Sequence, residues 1–171
     1  MIVSSNSNDE CKFGLESTIL DCSNDIPTIL RVGVIKKSEI ESCLGIQVRI
    51  SQVEGKRQNS PGSSLIHYSP RTAFRLISKS EIENTVFDLC EEGKTFLWCF
   101  EKPTYNHQNL IVEVAPSCPM EYGRQLYSKL NSLDREQLAL ILFEEPPKDE
   151  DWNAICDRLE KAKNRFSAKK F

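Results

Sequence analysis

Ser80-Glu81-Ile82-Glu83-Asn84-Thr85-Val86-Phe87-Asp88-Leu89-Cys90-Glu91-Glu92-Gly93-Lys94-Thr95-Phe96-Leu97-Trp98-Cys99-Phe100 changes rhythm at one glycine. Ile82, Val86, Leu89 and Cys90 follow one another at spacings of four, three and one, so one helical face is apolar over 80–92, and Gly93 ends it. Thr95 to Phe100 then reads as a strand. Outward from this helix–strand unit, Ala73 to Ile77 reads as a preceding strand and Leu110 to Val114 as a following one. Pro119 to Leu133 reads as a helix with Tyr122, Leu126, Leu130 and Leu133 on one stripe. Leu138 to Phe143 is a strongly apolar strand. Trp152 to Phe166 is a last helix with Trp152, Ile155, Leu159 and Ala162 inward. The order β-α-β-β-α-β-α predicts an open α/β sheet with helices packed on it. It is Rossmann-like in layer order alone, because no GxGxxG loop is present.

The whole chain has 171 residues, enough for one domain and part of another. Hydrophobic residues make up 39% and charged ones 27%, the balance of an ordinary globular protein. A net charge of −3 offers no global basic field for a nucleic-acid backbone, so direct nucleic-acid binding is not expected. The basic run from Lys161 to Lys170 is a local exception. No apolar run reaches the roughly 20 residues that span a bilayer, and no basic-then-apolar leader opens the chain. A cytoplasmic protein with no membrane partner is the expectation. The seven cysteines contain no CxxC pair and no zinc-type spacing, so neither a metal site nor a disulfide framework is expected. Cys90 and Cys99 read as small core residues.

Upstream of the α/β pattern the chain is less regular. Residues 1–10 have turn composition. Leu15 to Cys22 and Thr28 to Val32 read as short strands around Ser23-Asn24-Asp25-Ile26-Pro27, and Lys37 to Gly45 as a brief helix with Ser38 as N-cap. Gln47 to Val53 reads as another strand, and Glu54 to Ser64 has linker composition.

In Gly14-Leu15-Glu16-Ser17-Thr18-Ile19-Leu20-Asp21, two hydroxyls and a carboxylate stand at the front of an apolar run. Arg31 sits inside a second one, Ile29-Leu30-Arg31-Val32-Gly33, where an unpaired guanidinium is costly to bury. Hydroxyls and a guanidinium together suit a carboxylate or phosphate ligand shared by two neighbouring strands. The same residues also fit plain hairpin packing, with Arg31 partnered by Asp21 or Glu16. His67-Tyr68 fits either a nucleotide contact or a turn against Pro70, and His107 reads as a surface histidine.

Four segments, in order, resemble the threonylcarbamoyl-AMP synthase family in its two-domain form with a YrdC-type catalytic domain. They are Cys11 to Asp21, Ile29 to Ile35, Ser60-Pro61-Gly62 with His67-Tyr68-Ser69-Pro70, and Asp157-Arg158-Leu159. The resemblance implies that residues 1–53 are the C-terminal remnant of a YrdC-like α/β domain. It makes 54–70 an interdomain linker or flap, and 71–171 a small Rossmann-like α/β domain. It implies the family reaction, in which L-threonine, bicarbonate and ATP give threonylcarbamoyl-AMP and pyrophosphate for tRNA modification. Ser17 then resembles the threonine contact, and Arg31, His67 and Tyr68 the nucleotide contacts, with no catalytic side chain assigned. ATP enters as substrate with Mg2+, and only if a complete site is assembled.

Two features depart from the family pattern. Ser63-Ser64-Leu65-Ile66 carry no positive charge, and nothing before Cys11 matches the family's Lys/Arg motif or its Ser-rich nucleotide loop. A single Arg does not offset and orient a magnesium triphosphate. Two expectations follow. One is the C-terminal portion of a synthase, truncated or split, partnered by an N-terminal YrdC-like half or an intact synthase and inactive alone. The other is a non-catalytic accessory or regulatory domain that binds a nucleotide or a protein. The upstream strands are expected to lack a cover, leaving Leu15, Ile19, Ile29 and Leu30 exposed.

Overall fold

The computed structural model describes residues 14–51 and 69–167. Two sheets build it. The second is the α/β unit that the apolar rhythm predicts: β4 (Ala73–Ile77), α2 (Lys79–Glu91), β5 (Thr95–Cys99), β6 (Leu110–Val114), α3 (Pro119–Leu133), β7 (Leu140–Glu144), a 3-10 turn (Glu150–Trp152) and α4 (Asn153–Ser167). Its four strands are all parallel in the order β4-β7-β5-β6, so the last strand made is inserted between the first two. β5 is buried at every residue, as expected of a parallel strand covered on both faces.

Two cores lie on the two faces of this sheet. Ile82, Val86 and Cys90 of α2 pack with Ile77, Leu97, Cys99 and Leu142 on one side. Tyr122, Leu126, Leu130 and Leu133 of α3 join Ile155, Leu159 and Ala162 of α4 on the other. The helical stripes read from the sequence are the buried faces. Trp98, Tyr122, Phe143 and Trp152 form an aromatic cluster there, with Trp98 and Tyr122 ring centroids 4.3 Å apart.

The first sheet is small, in the order β1-β2-β3. β1 (Ile19–Asp21) and β2 (Thr28–Arg31) are antiparallel. α1 (Lys37–Leu44) then carries the chain to β3 (Arg49–Ile50), parallel to β2. β1 is shorter than the sequence suggests, and an irregularity between Ile19 and Leu20 shifts its register on β2. The N-cap of α1 is Lys36 rather than Ser38. The Lys36 N–H donates to Glu39, 2.8 Å away, while the Ser38 N–H turns to Glu150 of the other unit. α2 is likewise capped by Ser78, whose N–H and hydroxyl both donate to Glu81.

The expectation of uncovered upstream strands is overturned. Ile29 is 3% exposed, and Leu15 packs against the α3–α4 core. Ile19 and Leu30 are half-buried. The α/β unit itself covers Leu15. Backbone crossings without side chains seat the segment. Gly14, at φ +61°, lies where a Cβ would come 2.3 Å from the Arg124 Cα of α3.

Candidate functional site

Ile19 of β1 stands opposite Arg31 of β2, so Ser17, two residues earlier, lies within reach of the Arg31 side chain. Arg31 Nε donates to the Ser17 carbonyl at 3.0 Å, and Nη2 to Ser17 Oγ at 3.1 Å. The two residues singled out as threonine and phosphate contacts are therefore neighbours. Asp21, one of the two carboxylates that hairpin packing would offer to Arg31, accepts from the N–H and hydroxyl of Ser23. That pair of bonds, the side-chain one first, holds the Asp21 carboxyl below its ordinary range.

The three polar residues of Glu16-Ser17-Thr18 face different ways. Ser17 is exposed. Thr18 Oγ1 donates to the Ile35 carbonyl at 2.9 Å and accepts the Ile35 N–H at 3.1 Å, pinning the segment after β2 onto β1. Gly33 makes that contact feasible, since a Cβ there would fall 2.2 Å from the Thr18 nitrogen. Glu16, expected beside an anion ligand, instead turns into the α/β unit. Its Oε2 accepts from Arg158 Nε at 2.8 Å and from the Tyr127 hydroxyl at 3.0 Å. A carboxylate next to a phosphate would repel it; paired with a buried guanidinium it becomes an anchor.

Arg158 is the residue whose role sequence reasoning missed. It is 1% exposed on α4, pairs with Asp157, and donates from Nη2 to the Val32 carbonyl at 3.1 Å. Burial works to lower its pKa, but the Glu16 bond and the Asp157 and Glu16 charges outweigh it and raise the pKa further. The signal was present in the sequence. Arg158 lies three residues after Ile155 and one before Leu159, inside the inward stripe of α4, where a cation needs a partner.

A cleft of about 300 Å³ lies where the two units meet, at the carboxyl ends of β6 and β7. Leu15, Val34, Lys36, Met120, Asp151 and Ile155 are among its walls. Lys36 pairs with Asp151 across it, and that bond, with the Asp151 charge, raises the Lys36 pKa. Glu150 accepts the Ser38 N–H at 2.9 Å, a bond that heads the causes holding its carboxyl low.

His67, Tyr68 and the Ser60-Pro61-Gly62 block lie outside the described residues. Beyond them, Ser69 donates to the Lys161 carbonyl at 3.3 Å, and Asp134 accepts from the N–H groups of Arg71 and Thr72. His107 is half-buried in a turn rather than a plain surface residue, with its Nδ1 accepting the Asn109 N–H at 3.2 Å. Among the described residues no group of three or more His, Cys, Asp or Glu side chains forms a metal site. Nor, among them, is any helix long and apolar enough to cross a membrane.

A parallel α/β domain that carries a short strand pair with a Ser–Arg contact defines the class: a small layered domain packed with a second, three-stranded sheet. Residues 35–163 match the profile of the threonylcarbamoyl-AMP synthase C-terminal domain, and the chain belongs to that family. The threonylcarbamoyl-AMP synthase of Bacillus subtilis is 29% identical over 157 residues, covering 87% of this chain and 45% of that protein. That of Pyrococcus abyssi is 28% identical over 163 residues, covering 90% and 47%. The crystal structure of P. abyssi Sua5 complexed with L-threonine superposes with a TM-score of 0.75 at 26% identity, over 90% of this chain and 47% of that one. The chain spans about half the length of the relatives it matches.

Proposed function

We propose that this chain acts as the C-terminal half of a threonylcarbamoyl-AMP synthase. In that role it supplies Ser17 and Arg31 to a site completed by an N-terminal YrdC-like half. The observation that carries the reading is the 3.1 Å contact between Arg31 and Ser17. It joins a hydroxyl suited to a threonine carboxylate to a guanidinium suited to the ATP phosphates. Support comes from the family match and from a relative solved with L-threonine bound.

Within this reading His67 and Tyr68 are nucleotide contacts. Excluding water there protects a carbamate and an acyl-adenylate, both of which hydrolyse readily. ATP enters with Mg2+ as substrate, and the product serves tRNA modification in the cytoplasm. Arg31 alone does not neutralise a triphosphate, so the remaining cationic groups come from the partner half.

The test is pyrophosphate release from ATP, L-threonine and bicarbonate by the purified chain, by an N-terminal YrdC-like half, and by the two mixed. Turnover by the mixture alone supports a split synthase. Turnover by this chain on its own, or none in the mixture despite a stable complex, rejects it. The latter result leaves an accessory role.

A further inference from the structure

We infer that Arg158 is a positioning residue for the two strands that carry Ser17 and Arg31, acting from the other unit of the protein. The inference rests on the reading of Ser17 and Arg31 as ligand contacts. Its geometric part stands without that reading. Arg158 bonds the side chain of Glu16 through Nε and the backbone carbonyl of Val32 through Nη2, at 2.8 and 3.1 Å. Glu16 is the residue before Ser17, and Val32 the residue after Arg31. One guanidinium thus grips both segments immediately beside the Ser17–Arg31 contact. The fork fixes their separation.

The surroundings leave little slack. Tyr127 of α3 donates to the same Glu16 oxygen at 3.0 Å. Gly14 crosses the α3 backbone, and Gly33 crosses the backbone of Glu16 to Thr18, each at distances that exclude a Cβ. An apolar side chain on the α4 stripe would fill this place without burying charge, so bulk stability does not account for an arginine here. Two acceptors on two chain segments, met by one rigid planar donor, do account for it; a lysine ammonium has no such fork.

Arg158→Lys and Glu16→Gln test this, the second being isosteric and preserving a Tyr127 acceptor. In the full chain alone, solvent exchange of the Arg31 Nε–H is followed by NMR together with the amides of α3 and α4. The expected result is exchange about tenfold or more faster at Arg31 in both variants, with helix protection retained. Unchanged Arg31 exchange in a folded Glu16→Gln variant overturns the inference.

In the reconstituted enzyme, Arg158→Lys is expected to raise KM for both threonine and ATP by roughly 10–100-fold, with kcat within about twofold. Glu16→Gln should raise both KM values by a smaller factor, since it also frees Arg31. Reduced kcat with both KM values unchanged indicates a smaller active fraction only, and also overturns it. If the wild-type halves give no turnover, the synthase reading fails, and the exchange measurement alone decides the positioning role.

Discussion

At the scale of single residues, Ser17 and Arg31 carry the sharpest expectations. On the proposed function, Ser17→Ala removes a hydroxyl from a ligand carboxylate, a loss of roughly 1.5–3 kcal/mol for a bond to a charged group. Chiefly the threonine KM should rise. Arg31→Ala should cost more and act mainly on ATP, and Arg31→Lys should restore little because the two-pronged geometry goes. Equal and small effects on both substrates, measured on the reconstituted enzyme, would return the pair to hairpin packing. Gly33 gives a stability test independent of any ligand. Gly33→Ala places a methyl 2.2 Å from the Thr18 nitrogen, against backbone that has no rotamer to yield. Such overpacking costs roughly 1–3 kcal/mol. Urea unfolding should show a lowered midpoint at unchanged slope.

Among the elements, the division between what was readable in the sequence and what was not is a matter of range. Helices α2, α3 and α4 and strands β4 to β7 announce themselves because each buries one face or both, and burial imposes a local period. Pro119 to Leu133 reads with its observed bounds, and Ile155, Leu159 and Ala162 are inward as expected. The docking of the first sheet was hidden because it depends on Glu16 meeting Arg158, 142 residues apart, and on two glycine crossings that no period records. For the candidate site, residue types and strand adjacency were legible; the outward turn of Ser17 against the inward turn of Glu16 was not. The cysteines give a check on element burial. Cys90 and Cys99 are fully buried in α2 and β5, while Cys22, Cys43 and Cys118 are exposed. Burial first, and then the Glu144 charge, push the Cys99 thiol up to about 11. Alkylation of the native protein at pH 8, mapped by peptide mass spectrometry, should mark Cys22, Cys43 and Cys118 and spare Cys90 and Cys99. Rapid labelling of Cys99 would mean that β5 opens far more readily than its cover allows.

For the molecule as a whole, pH should act from both sides. Tyr105 is pushed up to about 12, first by burial and then by the Glu83 charge, and Cys99 to about 11. Both hold their protons longer in the folded protein than when unfolded. Their stabilisation is therefore intact below the unfolded values, near 9.0 and 10.0, and is lost as pH rises through the folded ones. At the other end stand carboxyls whose folded values are lowered. Burial works against Asp134, but the N–H and hydroxyl of Thr72 and the N–H of Arg71 keep it low. The contribution from such groups is present above the unfolded carboxyl range and is lost as pH falls through the folded values. Urea midpoints plotted against pH should be level around neutrality, falling above about pH 9 and again in acid. A midpoint still rising at pH 10 would contradict the burial of Cys99 and Tyr105. Limited proteolysis tests the docking of the two units. Sites within 19–50 should be cut as slowly as sites in the α/β unit, whereas their rapid loss from an otherwise resistant protein would show the glycine and arginine contacts to be weak.

The place of β7 has a consequence for how the protein is made. β4 and β5 have no hydrogen bonds to each other; β7 fills the gap between them and is the last of the four strands to be synthesised. As the chain leaves the ribosome, β5 and β6 can pair with each other, but the first-made strand of that sheet has no partner until β7 arrives. Meanwhile the segment bearing Ser17 waits longer still, for an arginine on the final helix. Assembly therefore runs against the direction of translation, and a stop codon before Leu140 should yield an aggregating product rather than a smaller folded one.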